Sequence, residues 1–306
     1  MTDKDYSGYK AGFVAVVGKP NVGKSTLINA LLGQKVAAVS AKPQTTRRNQ
    51  LGILTLEGAQ IVFTDTPGLH RERNKLGELM NREALSALSD ADLVLFLADG
   101  SAAPDEEDRF LAEQTNAGKG ERPVILAVNK ADLLDALQEE TRGKQYAGIV
   151  VAGQVFSISA LQGRGLPELQ AAILDLLPES PPFYPEDQVT DLYERQIAAD
   201  LIREAALKHL EQEVPHGIAV RIDQFVERGE EGAMIEATIF VERDSHKGIV
   251  IGQGGAMIKT IGKTARVEIE KMSGRKVYLQ LRVKLRKDWR DDDTTLSRFG
   301  YSKREP

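Results

Sequence analysis

The 306-residue sequence contains no cysteine, which excludes disulfide bonds and cysteine-ligated zinc sites. Its four histidines are scattered, which argues against a histidine metal cluster. No apolar run approaches the roughly 20 residues that a membrane-spanning helix needs. Residues 1–10 are polar and lack the apolar core of a signal peptide. We therefore expect a cytoplasmic protein.

The net charge of −5 conceals one strongly basic segment. Residues 247–290 carry twelve lysines and arginines against three acidic residues, which is +9 for the segment and −14 for the remainder. A mildly acidic protein with one basic segment indicates a local site for a polyanion such as nucleic acid. A solvated charged face is the alternative that charge alone leaves open.

The first part of the chain, residues 8–178, predicts a GTP-binding domain of the α/β class. Continuous apolar runs alternate there with helical patterns, which is typical of a doubly wound, mainly parallel sheet covered on both faces. The runs 47–58 and 61–64 are joined by a tight turn at Gly58. That pair predicts one antiparallel strand within the sheet.

The rest of the chain predicts a second domain. Prolines concentrate in residues 179–188, which we interpret as a linker. Residues 189–290 predict an α+β domain with the order helix, two strands, two helices and a final strand. The last strand, residues 277–286, alternates apolar and polar residues strictly, so one face is expected to be buried. The acidic and polar tail, residues 291–306, is expected to be disordered rather than folded back on the basic strand.

A phosphate-binding loop is indicated near the N-terminus. The segment GKPNVGKS, residues 18–25, matches G-x-x-x-x-G-K-[S/T], follows the apolar strand 13–17 and precedes the helical stretch 26–33. Backbone N–H groups of such a loop bind phosphate oxygens at a helix N-terminus. Lys24 is expected to reach the β- and γ-phosphates, and Ser25 to bind Mg²⁺. The alternative is a glycine loop that arises by chance, which would not require the preceding strand and the following helix.

Guanine rather than adenine is indicated by NKAD at residues 129–132, directly after the apolar strand 124–128. A carboxylate at Asp132 can accept hydrogen bonds from guanine N1 and N2, a donor pair that adenine lacks. Asn129 is expected to support the base and the loop. The run SAL, residues 159–161, would supply a backbone N–H to the guanine carbonyl.

Two segments between these motifs are predicted to sense the γ-phosphate. In DTPG, residues 65–68, Asp65 is expected to hold Mg²⁺ through water and the Gly68 N–H to contact the γ-phosphate. Upstream, Thr46 is favoured over Thr45 as the residue that caps the γ-phosphate and Mg²⁺. Both segments would be ordered by GTP and released with GDP. Two ordinary surface loops are the alternative.

A second glycine loop, GQGG at residues 252–255, lies between two helical stretches. A helix–GxxG–helix unit is the core of a KH domain, in which the short loop lets a nucleic-acid backbone approach. The element order of residues 189–290 resembles the type II KH arrangement. The nearby GKT at residues 262–264 lacks the upstream glycine of a nucleotide loop, so a second nucleotide site is not expected.

These motifs together resemble the Era, Der and MnmE group of translation-factor-type GTPases, through GKPNVGKS, TTR and DTPGL. A single GTPase domain followed by a KH domain, over about residues 8–290, resembles the Era family. The resemblance implies an assembly factor of the small ribosomal subunit, switched by GTP and GDP, that binds 16S rRNA near its 3′ end. It also implies peripheral contact with the inner membrane. A monomer is expected.

Hydrolysis is expected to be slow without help. Leu69 stands where Ras-like GTPases place a water-orienting glutamine, and a leucine cannot hold a water. In relatives, an asparagine matching Asn21 helps to hold K⁺, which the resemblance transfers to this chain as a hypothesis. His70 is a candidate for positioning the water, with an ordinary histidine of a mobile, solvated loop as the commoner alternative. The predicted catalytic residues are Lys24, Asn21, Thr46 and Gly68.

The full predicted sites follow from these motifs. Nucleotide-binding residues are Gly18, Lys19, Pro20, Asn21, Val22, Gly23, Lys24, Ser25, Thr26, Asp65, Thr66, Pro67, Gly68, Asn129, Lys130, Asp132, Ser159, Ala160 and Leu161. The Mg²⁺ ligands are Ser25, Thr46 and Asp65. RNA-binding residues are Lys247, Ile249, Ile251, Gly252, Gln253, Gly254, Gly255, Lys259, Lys263 and Arg266. Core packing is an equal alternative for the two isoleucines.

Two other functions remain open at this point. One is a constitutive RNA-binding protein with a structural nucleotide site. The other is a membrane- or tRNA-linked GTPase whose basic segment binds a lipid or a protein. Intact Lys24, Ser25 and Asp65 favour a hydrolysing enzyme over the first of these.

Overall fold

The computed structural model describes residues 6–40, 42, 45–68, 74–227 and 232–301. Leu69 and His70 therefore lie outside the described residues. The chain divides into two compact units. The first comprises the described residues of Met1–Ala37, Thr46–Arg71 and Met80–Asp191, and the second those of Ala38–Thr45, Glu72–Leu79 and Leu192–Pro306.

The first unit is built on a sheet of six strands in the described part of the chain. The strands are β1 (Lys10–Val17), β2 (Gln50–Leu56), β3 (Ala59–Asp65), β4 (Leu93–Asp99), β5 (Val124–Asn129) and β6 (Gln154–Ser157). Their order is β2-β3-β1-β4-β5-β6; β2 runs antiparallel to β3 and the other pairs are parallel. The predicted sheet with one antiparallel strand is confirmed.

Helices cover both faces of this sheet. They are α1 (Lys24–Leu32), α2 (Lys75–Asp90), α3 (Glu106–Gly118), α4 (Ala136–Ala147) and α5 (Leu166–Leu176), the first turn of α2 belonging to the second unit. Alternate residues of β1 enter opposite apolar layers: Val14 and Val16 pack in one, Ala15 and Val17 in the other. Burial on both faces explains why the strands have continuous apolar runs.

The proline-rich segment packs within the first unit. The ring of Phe183 lies 5.0 Å from that of Phe13, centroid to centroid. The Ile53 N–H donates to the Val189 carbonyl at 2.9 Å. Residues 179–188 thus belong to the last segment of the first unit, which ends at Asp191, and their role as a linker stays a prediction.

The second unit contains α6 (Glu194–His209), β7 (Ala219–Glu227), β8 (Ala233–Val241), α7 (Asp244–Ile251), α8 (Ala256–Ser273) and β9 (Val277–Leu285), followed by α9 (Asp293–Arg298). Within the described residues its sheet has the order β7-β8-β9, with β7 antiparallel and β9 parallel to β8. This is the predicted α-β-β-α-α-β order of a type II KH domain. No helix of the described residues is long and apolar enough to span a bilayer.

The expectation of a disordered tail is wrong for residues 291–301. The Trp289 side chain is fully buried, and its ring lies 5.5 Å from that of Phe299. Leu296 of α9 is also buried. Asp292 pairs with Arg286 at 3.0 Å, so the acidic stretch does meet the end of the basic strand. The aromatic and apolar anchors outweigh the polar composition; residues 302–306 lie outside the described part.

Candidate nucleotide site and candidate nucleic-acid interface

The loop between β1 and α1 requires glycine at two positions. A Cβ at Gly18 would lie 2.4 Å from the Leu97 carbonyl oxygen. Gly23 has φ +104°, and a Cβ there would lie 2.4 Å from Asn129 Nδ2. A side chain at Gly18 would clash with the backbone of β4, and one at Gly23 would be strained and would displace the Asn129 amide, so the loop conformation requires glycine at both positions.

Lys24, the first residue of α1, is buried at the base of this loop. Its Nζ donates to the carbonyls of Gly18 at 2.8 Å and Lys19 at 2.9 Å. Burial lowers the pKa of the Lys24 ammonium to about 8, against the opposing pull of the Asp65 carboxylate. A bound phosphate would supply the negative charge that restores a higher pKa.

Proton uptake should therefore accompany nucleotide binding, and affinity should fall as pH rises through 8. With a pKa near 8, GDP binding should take up about a quarter of a proton at pH 7.5 and about three quarters at pH 8.5. Calorimetric titration in two buffers of different ionisation enthalpy measures this uptake. Lys24→Arg is the control, because a guanidinium stays protonated throughout. Uptake that does not increase with pH would contradict the assignment.

Three oxygen-bearing side chains from separate segments meet beside Lys24. The Ser25 hydroxyl donates to Asp65 Oδ2 at 2.7 Å, and the Thr46 hydroxyl donates to the same oxygen at 3.0 Å. The Ser25 and Thr46 hydroxyl oxygens are 3.1 Å apart. Thr45 instead donates to the Lys42 carbonyl. One carboxylate and two hydroxyls form a hard oxygen donor set that fits Mg²⁺.

Asn129, at the end of β5, links the two halves of the candidate site. Its Nδ2 donates to the Val22 carbonyl at 2.7 Å, and its Oδ1 accepts the Ala160 N–H at 2.9 Å. The Ser159 hydroxyl donates to the Asp132 carboxylate. The phosphate loop, NKAD and SAL are thereby held at one edge of the sheet, as the strand-end positions predict.

The segment after β3 lies against the phosphate loop. The buried Thr66 hydroxyl donates to the Val16 carbonyl at 2.7 Å. A Cβ at Gly68 would lie 2.7 Å from the Pro20 nitrogen. Thr66 thus anchors the segment, and Gly68 permits its backbone to approach the loop.

Contacts of two lysines of the site were not anticipated from the sequence. Lys19 pairs with Asp105 and Asp108, and Lys130 pairs with Asp99 at the end of β4. The only sequence signal was the D-x-x-D spacing of a helix cap at the start of α3.

The second glycine loop joins α7 to α8 through backbone conformations that favour glycine. Gly252, Gly254 and Gly255 have φ of +71°, +58° and +79°. A Cβ at Gly252 would lie 2.7 Å from the Met257 nitrogen, whereas Gly254 and Gly255 face open space. The loop therefore offers a bare backbone surface at the junction of two helices.

The basic segment separates into paired and unpaired side chains. Arg275, Arg282, Arg286 and Arg290 form ion pairs with carboxylates of the second unit. Within the described residues, no ion pair is made by Lys247, Lys259, Lys263 or Arg266. The last three of these are exposed. All four predicted phosphate contacts are thus among the charges without an ion pair in the described part of the chain, a group that also includes Lys276, Lys284 and Lys287.

The two isoleucines before the loop differ in burial. Ile249 is 48% exposed, whereas Val250 beside it is fully buried. Ile251 is half-buried. Core packing thus accounts for Val250 but not for Ile249, which leaves Ile249 available as an apolar platform.

Comparison with known proteins supports both halves of this description. Residues 13–130 match the family model described as 50S ribosome-binding GTPase, and residues 213–290 match the KH domain model. The GTPase Era of Carboxydothermus hydrogenoformans is 43% identical over 97% of this chain and 99% of its own. That of Halothermothrix orenii is 47% identical over 96% and 99%.

The chain belongs to the GTPase Era family. Membership confirms the predicted family and makes the chain a GTP hydrolase.

Solved structures of the family agree with the fold. A crystal structure of Era in complex with MgGDPNP and nucleotides 1506–1542 of 16S ribosomal RNA is 39% identical, covers 96% of this chain and 99% of its own, and superposes with a TM-score of 0.91. An Aquifex aeolicus Era variant bound to GDP·AlF4⁻ has the same identity and coverage and a TM-score of 0.88.

Proposed function

We propose that this protein is an assembly factor of the small ribosomal subunit, switched by GTP and GDP, that binds 16S rRNA near its 3′ end. The observation that carries the proposal is the pairing of a guanine-nucleotide site with a GxxG loop in one chain. A structure of Era that holds both MgGDPNP and nucleotides 1506–1542 of 16S rRNA matches this chain over 96% of its length.

In the proposed hydrolysis, catalysis comes from positioning and charge stabilisation around the phosphates. Lys24 and the loop N–H groups bind the β- and γ-phosphates, and Gly68 donates its N–H to the γ-phosphate. Ser25, Thr46 and Asp65 would hold Mg²⁺, which neutralises phosphate charge when bound. Asp132 reads guanine, with Asn129 supporting it.

The proposed switch is favoured by the division of the chain at Thr46, because the residues just before it belong to the second unit. Within the second unit, the Val39 N–H donates to Glu204 Oε2 at 3.1 Å, and Lys42 Nζ donates to the Leu210 carbonyl at 2.6 Å. Thr46, by contrast, belongs to the first unit. Ordering Thr46 on the γ-phosphate would therefore act on a segment that α6 of the RNA-binding unit holds.

The proposal is tested by RNA affinity in the two nucleotide states. An RNA of nucleotides 1506–1542 should bind at least about tenfold more tightly with a non-hydrolysable GTP analogue than with GDP, at one stated salt concentration. Filter binding or fluorescence anisotropy measures both constants. Equal affinities would mean a constitutive RNA anchor, and no binding in either state would remove the RNA function.

Potassium is proposed to stimulate hydrolysis through Asn21. This residue is exposed in the phosphate loop and has φ +67°. Turnover should be at least about tenfold faster in K⁺ than in Na⁺ at equal ionic strength, because a fitted cation stabilises charge in the transition state. In Asn21→Ala the two rates should converge. Equal rates in the unmodified protein would rule potassium out.

A cytoplasmic location, a monomeric state and peripheral contact with the inner membrane complete the proposal. The membrane contact rests only on the resemblance to the family. Flotation with vesicles of anionic lipid, in the presence of GTP or GDP, tests it directly.

A further inference from the structure

The side chain of Lys19, the second residue of the phosphate loop, is held by two carboxylates at the N-terminal end of helix α3. Its Nζ lies 2.8 Å from Asp105 Oδ2 and 2.8 Å from Asp108 Oδ2. Asp105 caps α3 by accepting the N–H groups of Glu107 and Asp108, and Asp108 in turn accepts the Asp105 N–H at 3.0 Å. The lysine therefore meets carboxylates that the helix end has already fixed in place.

Asp108 is the buried member of this pair. It is 1% exposed, whereas the Asp105 side chain is 58% exposed. The fully buried Tyr146 packs beside it, with its hydroxyl 3.1 Å from the Asp99 carbonyl and 3.4 Å from Asp108 Oδ2. A carboxylate in such a place is costly unless a cation pairs with it. Burial raises the pKa of Asp108, which the neighbouring ammonium of Lys19 opposes.

The same residue holds the lysine that binds phosphate. The Lys19 carbonyl accepts a hydrogen bond from Lys24 Nζ at 2.9 Å, beside the one that the Gly18 carbonyl accepts. One end of Lys19 is thus anchored on α3, and the other end carries an acceptor for Lys24. A shift of the anchor would move that acceptor.

We propose that the ion pair of Lys19 with Asp108 is a positioning device for GTP hydrolysis. It holds the peptide at Lys19 so that the Lys24 ammonium and the loop N–H groups meet the phosphates in reactive geometry. In this arrangement the side chains of the pair would act from outside the phosphate site, and Lys19 would take part in nucleotide binding through its backbone. Displacements of about 1 Å in such a site can cost about a hundredfold in rate, which is why an anchor outside the site matters.

The test compares Lys19→Met, Asp108→Asn and the double variant by steady-state GTP hydrolysis. Each single change should lower kcat about tenfold or more while KM changes less than about threefold, because binding is shared among many backbone N–H groups. The double variant should be no slower than the slower single variant, because one interaction is lost in all three. Lys19→Arg keeps the cation and should restore most of the rate.

Several results would overturn the proposal. If Lys19 bound phosphate directly, Asp108→Asn would release it and lower KM, whereas Lys19→Met would raise KM. Additive losses of kcat in the double variant would show that the two residues act independently. A lower Tm with kcat unchanged would make the pair structural only. An asparagine at position 108 keeps a side-chain oxygen that can accept the Asp105 N–H, so Asp108→Asn is expected to fold.

A matched control is the exposed pair of Lys144 with Glu140 on α4. Lys144→Met removes the same charge outside the nucleotide site and should leave kcat and KM unchanged. The proposal rests on GTP hydrolysis at this site, so the unmodified protein is measured in parallel. Absence of turnover there would contradict hydrolysis at this site itself, whereas normal turnover in the three variants would remove only the positioning role.

Discussion

Replacing Asp132 with asparagine is expected to weaken binding of GTP and GDP by about a thousandfold. The carboxylate can accept from guanine N1–H and the 2-amino group together, whereas an amide turns one of those acceptors into a donor. The Ser159 hydroxyl already donates to Asp132, which holds the carboxylate in place. Two donors of the bound base would then face a group that satisfies only one.

Comparing a xanthine nucleotide with a guanine nucleotide distinguishes lost base recognition from damage to the fold. Xanthine carries a carbonyl in place of the 2-amino group, so the Asp132→Asn amide can donate to it. The variant should therefore prefer xanthosine diphosphate over GDP, a reversal that fluorescence competition measures. Weak binding of both nucleotides would mean that the pocket has collapsed, and retained GDP affinity would remove Asp132 as the guanine reader.

Asp135 provides the control for this substitution. It lies three residues further on and caps α4, accepting the Gln138 N–H at 2.8 Å. Because asparagine caps helices about as well as aspartate, Asp135→Asn should leave both affinities unchanged. Comparing the two variants shows whether the loss of affinity depends on which aspartate loses its charge.

The nucleotide site was largely predictable because its motifs are local and each follows a strand. Parallel strands bring their carboxyl ends to one edge of a sheet, so residues far apart in sequence meet there. Ser25, Thr46 and Asp65 come from three separate segments and share one carboxylate oxygen. Of the two candidate threonines, the favoured Thr46 is the one that donates to Asp65, whereas Thr45 donates to the Lys42 carbonyl.

Contacts between side chains that no motif relates were not predictable. Lys19 and Asp105 are 86 positions apart, and both carboxylates have a sufficient local explanation as a helix cap. The prediction of a disordered tail was wrong for a different reason. Its acidic composition predicts disorder, but the burial of Trp289 and Leu296 depends on packing that composition does not report.

Adding negative charge to the second glycine loop is expected to lower affinity for the 1506–1542 RNA by about a hundredfold at low salt. The change is Gln253→Asp with Gly254→Asp, at two exposed positions between α7 and α8. In the proposed complex the RNA backbone passes this loop, so both carboxylates would face phosphates. GDP affinity should not change, because these residues belong to the second unit.

The matched variant is Gln253→Asn with Gly254→Asn. Gly254 has φ +58° and faces open space, a conformation that asparagine and aspartate both tolerate. The two variants therefore share shape and backbone strain and differ in two charges. The asparagine variant should bind the RNA within about threefold of the unmodified protein. Equal binding by both variants would exclude a clamp at this loop.

The salt dependence of binding then distinguishes lost phosphate contacts from a distorted loop. Each phosphate contact with single-stranded RNA contributes about 0.7 to the slope of log affinity against log salt. If the carboxylates displace one or two contacts, the slope should become shallower by about 0.7–1.4, and the two variants should converge at high salt. Distortion would instead weaken both variants alike, and their difference would not depend on salt. A shallower slope confined to the aspartate variant therefore requires that RNA phosphates lie beside Gln253 and Gly254.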